Sequence, residues 1–161
     1  MQLYVVETYA AAEPPTDDLF RIACRHARHA LENQCGARFG VTTGPEAIDR
    51  WIDRLRSLEV GDANFAARLA GYQSFAGELV AGFQSGIRFL KRQQGRLSVD
   101  SGKMIPHMIA SCHKAATALA SFARTALPAT DGDTADRRDR LVRQLTDTRA
   151  AVSELFTTMP R

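Results

Sequence analysis

Apolar residues recur along most of this chain at alternating steps of three and four, the spacing that puts them on one side of an α-helix. Five such stretches follow one another. In the first, from Thr16 to just before Gly36, Leu19, Ile22, Ala23, His26, Ala27, Ala30 and Leu31 fall on one face, with Arg21, Arg25, Arg28 and Glu32 opposite. Thr16 supplies a cap, and Asp17 and Asp18 complement the positive end of the helix dipole. The second starts at Thr43-Gly44-Pro45-Glu46, where the missing N–H of a first-turn proline removes no bond. Its stripe is Ile48, Trp51, Ile52, Leu55 and Leu58, and it stops at Gly61.

Asp62 then caps the longest predicted helix, residues 63–94, which would reach about 45 to 50 Å. Its core stripe is Phe65, Leu69, Tyr72, Ala76, Leu79, Phe83, Ile87 and Leu90. Residues 95–102 form a loop carrying Arg96, and the fourth helix is expected to begin between Lys103 and Pro106, because proline is tolerated in a first turn and disruptive deeper in. Its face is Ile105, Ile109, Cys112, Ala116, Leu119 and Ala123, and its many alanines make it thin enough for close neighbours. Leu127-Pro128 ends it. After a polar loop at 129–133, the fifth helix starts near Asp133 or Thr134 and buries Leu141, Leu145, Thr148, Val152, Leu155 and Met159.

The predicted architecture is all-α, a four- to five-helix antiparallel bundle with a short N-terminal arm. The arm is residues 1–15, which open with a strand-like run at 3–6 and stop at Pro14-Pro15; residues 16–161 form a single bundle domain. No internal repeat or long linker divides them.

With 161 residues, 45% of them apolar, the chain can bury about 70% of its unfolded surface, so neither disulfides nor metal is required. Cys24, Cys35 and Cys112 are an odd number without a CxxC pair, and no basic leader precedes Leu3, so a reducing, cytoplasmic location is expected. The greasiest run, 79–90, is broken by Gln84, Ser85 and Arg88, which argues against a membrane partner.

The net charge of +3 says little, but its distribution is uneven. Residues 1–18 carry four carboxylates and no cation, whereas 79–130 carry seven cations against Asp100 alone. Arg88, Lys91, Arg92 and Arg96 close the third helix and Lys103 and His107 open the fourth, so an antiparallel hairpin gathers them at one tip. Such cations complement a helix C-terminus, and they also suit an anionic partner such as nucleic-acid phosphate. Phe89 lies off the core stripe among them, where it can stack on a base.

The third helix has a second unusual face. Gly71, Gly82 and Gly86 project within about 60° of one another, with Glu78 and Ser85 between them, roughly 120° from the core stripe. Glycine inside a helix costs about 1 kcal/mol relative to alanine, so three on one face suit a second backbone in close approach. That backbone belongs either to another helix of the fold or to a partner chain.

Catalytic and metal chemistry find little support. The residues three before His26, His29, His107 and His113 are Ala23, His26, Met104 and Ala110, so no Glu-x-x-His pair exists. A metal or haem would have to use core-facing His26 with Cys112, helped by His29 or His113; the simpler reading is a half-buried histidine and an apolar cysteine. His113-Lys114 is followed by Ala116 and Thr117, not by the lysine and glycine of phosphotransfer modules. The run ending Gly102-Lys103 has the wrong glycine spacing for a P-loop and Met104 where Ser or Thr is needed. Nothing resembling a nucleophile elbow surrounds Ser85, Ser101 or Ser111. No enzyme activity and no cofactor are expected.

The segments Tyr72-Gln-Ser-Phe, Leu79-Val80-Ala81 and Ser85 to Lys91 resemble a stretch of the small helical subunits of type III CRISPR effector complexes, which line the guide–target duplex. The resemblance spans residues 72–91, consists mostly of helix-core positions, is not continued in the fifth helix and assigns no family. The expectation is a noncatalytic helical-bundle subunit or adaptor that binds another protein chain, or itself as a homodimer, through the glycine face and the arm. The alternative is a nucleic-acid-binding small subunit using the basic tip, and a metal- or haem-binding bundle stands third.

Overall fold

The computed structural model describes residues 17–32, 43–58, 65–125 and 134–160. The arm, Thr16, Cys35, Gly61, Asp62 and the loop at 126–133 lie outside these. Within them the chain forms five α-helices and no strand: α1 Asp17–Leu31, α2 Gly44–Arg56, α3 Phe65–Gln93, α4 Val99–Arg124 and α5 Thr134–Thr158. They pack as the expected all-α bundle.

Helix α4 lies between α3 and α5 and is antiparallel to both. Gly95, at φ +86°, makes the left-handed turn that reverses the chain between α3 and α4, a conformation glycine adopts without steric penalty. At the far end of that hairpin, Gln73 near the start of α3 donates from Nε2 to the carbonyls of Phe122 (3.1 Å) and Thr125 (2.6 Å) at the end of α4. On the other side of α4, Lys114 pairs with Glu154 of α5 at 2.7 Å.

The remaining groove is filled by α1 and α2 in succession. Trp51, Ile52, Leu55 and Leu58 of α2 join Leu69 and Ala76 of α3, Leu119 and Phe122 of α4, and Leu141 and Leu145 of α5 in one core. Trp51 meets Tyr72 and Phe122 edge-on at 5.7 and 5.2 Å, the favoured aromatic geometry. At the opposite end, Phe20 and Cys24 of α1 pack with Ile87, Leu90, Ile105, Met108, Cys112, Leu155 and Met159. At 1.5 Å per residue, α1 and α2 together supply about 42 Å, close to the ~43 Å of α3. Two short helices thus replace the fourth pillar of a four-helix bundle.

The stripes of α2, α3 and α5 follow the sequence reading: Leu69, Ala76, Ile87 and Leu90 are buried, as are Leu141, Leu145, Thr148, Val152, Leu155 and Met159. Two expectations are corrected. The core face of α1 is not the one through Leu19, Ile22, Ala23, His26 and Ala27, all of which are exposed. The docked row is Asp17, Phe20, Cys24 and Arg28, on the opposite side. The docked row carries the Phe20 ring, and its polar members find partners across the fold: Arg28 lies 5.5 Å from the Phe156 ring centre and donates to the Met159 carbonyl at 3.4 Å.

The second correction is the start of α4, which is Val99 and not a residue at 103–106, so that Pro106 lies inside the helix, beyond its first turn. Ser98 caps it, its hydroxyl accepting from the Ser101 N–H at 3.4 Å. Asp17 adds a cap from another helix, accepting from the Ser98 N–H at 2.9 Å and the Ser101 hydroxyl at 3.2 Å. These acceptors start the helix well before the proline.

The Ser98 and Ser101 bonds hold the Asp17 carboxyl below its ordinary 3.8. A depressed folded-state pKa contributes stability above the unfolded value and loses it as pH falls through the folded one. Asp17→Ala should therefore melt earlier than wild type at neutral pH, and the two melting curves should draw together as pH falls from the ordinary carboxylate value of 3.8 through the lower folded one. Ser111 makes a second test, because its buried hydroxyl has no hydrogen-bond partner among the described residues. Ser111→Ala should raise the unfolding free energy by about 1 kcal/mol in a urea titration.

Candidate interaction surfaces

The outer side of α3 carries a second row at steps of four and three: Gly71, Phe75, Glu78, Gly82, Ser85 and Phe89. Gly86 flanks it. Among the described residues, a methyl group added at Gly71, Gly82 or Gly86 would have nothing within 4 Å. No described helix of the bundle therefore supplies the second backbone expected on this face. Gly71, Glu78 and Gly82 are exposed, and Ser85 and Gly86 are half-buried. At each end stands a large ring facing water, Phe75 at 53% and Phe89 at 45% exposure. The inner edge of Phe75 rests on Trp51, 5.9 Å between ring centres, which fixes its position.

The reading of the sequence found the glycines and Phe89 but missed Phe75. The signal was the regular step from Gly71 to Phe89, in which Phe75 occupies the one large apolar position between them. Glu78 makes no ion pair among the described residues, and Arg88 reaches along the helix to donate to the Ser85 hydroxyl at 2.9 Å. The row thus has a basic group along one edge.

Arg88, Lys91, Arg92 and Arg96 are all exposed at the α3 end of the hairpin, and Lys103 and His107 are exposed on the first turns of α4. They share one end of the bundle but lie on two helices and the turn between them. Lys103 pairs with Asp100 at 3.3 Å, whereas Lys91, Arg92, Arg96 and His107 have no carboxylate partner among the described residues.

The histidine and cysteine considered for a metal are not brought together. His26 is on the solvent side of α1, and His29 and His113 are exposed too. Cys112 is buried, as is Cys24, and burial pushes both thiols up to about 11, so they remain protonated at neutral pH. The described residues contain no group of three or more His, Cys, Asp or Glu able to hold a metal ion. No helix among them is long and apolar enough to cross a membrane.

Open space at the glycines gives a direct test of this geometry. Gly82→Ala and Gly71→Ala should each stabilise the isolated chain by about 1 kcal/mol, read from thermal or urea unfolding, because the methyl group meets no neighbour and lowers the entropy lost on folding. A destabilised variant would mean that the face is covered. No protein-family model, curated protein or solved structure matches this chain.

Proposed function

We propose that the chain is a noncatalytic helical-bundle subunit or adaptor that acts by docking a protein chain, another or its own, on the outer row of α3. The observation that carries this reading is the pair of exposed rings, Phe75 and Phe89, at the two ends of an open glycine row. Large aromatics flanking small residues supply anchors with a close backbone approach between them.

A second reading, nucleic-acid binding by the basic tip, is favoured by the exposure of Arg88, Lys91, Arg92, Arg96, Lys103 and His107 at one end, with Phe89 beside them. It predicts RNA or DNA affinity that falls steeply with salt and is lost on reversing Arg88, Arg92 and Arg96.

The docking reading predicts that light scattering after size exclusion finds the native protein in a dimer or complex. Gly82→Leu and Phe89→Glu should each dissolve that assembly while leaving the helical dichroism and melting temperature within a few degrees of wild type. A monomer from its source cells that is indifferent to both changes would remove the reading.

A further inference from the structure

We propose that the occupant of the outer α3 row is a second copy of this chain, packed antiparallel with its twofold axis at Gly82. This rests on the reading of that row as the docking face and adds the partner and the register. The argument begins with position. Phe75 and Phe89 stand seven residues either side of Gly82, so two α3 helices crossing head to tail at Gly82 set Phe75 of each copy level with Phe89 of the other. The residue at the axis meets its own counterpart, and there the structure has a glycine with no described residue within 4 Å of an added methyl group. A closed pair of this kind needs one self-complementary patch on each subunit.

Charge selects the same orientation. In the antiparallel pair Glu78 lies level with Gly86 of the partner copy, where no side chain obstructs it, and within about 3 Å along the axis of the level of Arg88. Glu78 and Arg88 lie on the same flank of the row, and a twofold axis brings equal flanks together, so each copy's unpaired Glu78 gains an arginine. A parallel pair does the reverse: it sets Glu78 against Glu78 and crowds both copies' Arg88, Lys91 and Arg92 at one end. Like charges facing each other suppress that arrangement. The antiparallel pair holds the two basic tips at opposite ends.

The full-length chain should run as a dimer in size exclusion with light scattering. Phe75→Arg alone and Phe89→Glu alone should each weaken dimerisation by about a hundredfold or more, leaving monomers at concentrations where the wild type is paired. Both positions are exposed, so the dichroism spectra should stay helical. Mixing the two variants should restore a one-to-one dimer, because one end then joins the new arginine to the new glutamate and the other keeps Phe89 of the first variant against Phe75 of the second. A parallel or shifted pair gains no such match. As a second measurement, Gly82→Cys should form an intermolecular disulfide under mild oxidation that the wild type does not form.

A monomeric wild type, dimers that survive both single changes, or a mixture that stays monomeric would each overturn the proposal. If the wild type is monomeric yet Gly82→Leu strips a co-purifying protein from it, the second copy is wrong and the docking face stands. If neither assembly exists, both fall.

Discussion

Helix α4 makes the two most extensive helix–helix contacts of this bundle, with α3 and α5, and its polar ends depend on its neighbours. An α-helix leaves N–H groups open at its start and carbonyls open at its finish. Here the start is served by Asp17 of α1, in addition to the local cap Ser98, and the finish by Gln73 of α3. Each bond spans a large sequence separation, so it ties the ends of α4 to particular heights along other helices. The apolar stripes alone allow neighbouring helices to slide by a turn; these polar pins do not. Fixing α3 against α4 in this way fixes which side of α3 points outward, and that side bears the row from Gly71 to Phe89.

The pins also explain what was legible in the sequence. The stripes of α2, α3 and α5 were readable because each is a single dense run of large apolar residues, such as Leu141 to Met159, with charged residues elsewhere around the helix. Helix α1 was misread because the apolar count favours the face of Leu19, Ile22 and Ala23, whereas the docked row of Phe20 and Cys24 is flanked by Asp17 and Arg28, whose partners come from the start of α4 and the end of α5. The start of α4 was placed too late for a related reason: the cap from Asp17 is contributed across the fold, and no local pattern announces it. At the candidate surface, the glycines and the basic tip were visible as departures from ordinary helix composition. Whether the glycines met another helix of the same fold was not, because that depends on where α2 and α5 lie.

Helix α3 therefore has two seams at coiled-coil spacing. The inner one, through Leu69, Tyr72, Ala76, Leu79, Phe83, Ile87 and Leu90, is filled by the bundle. The outer one is built from much smaller residues, with two rings as its only large apolar positions. A filled seam of leucines on both sides would bind its own fold in more than one way, since either side could turn inward. Keeping the outer row small and interrupted by Glu78 leaves the bundle one way to close.

That contrast separates the outer row from an ordinary solvated surface. On α5 the exposed positions include Asp136, Asp139, Arg140, Arg143, Asp147, Arg149 and Glu154, charged residues of both signs that hold water. Arg149 even reaches across to Asp49 at 3.0 Å, a surface pair of modest energetic value. The outer row of α3 has a single charge, and where α5 keeps strongly hydrated groups it keeps glycine, serine and phenylalanine. Glycine there lowers helix stability without easing any crowding among the described residues, none of which comes within 4 Å of a methyl group added at these positions. No packing contact among the described residues offsets that loss, and the proposed docked backbone is a neighbour for which the missing side chains would make room.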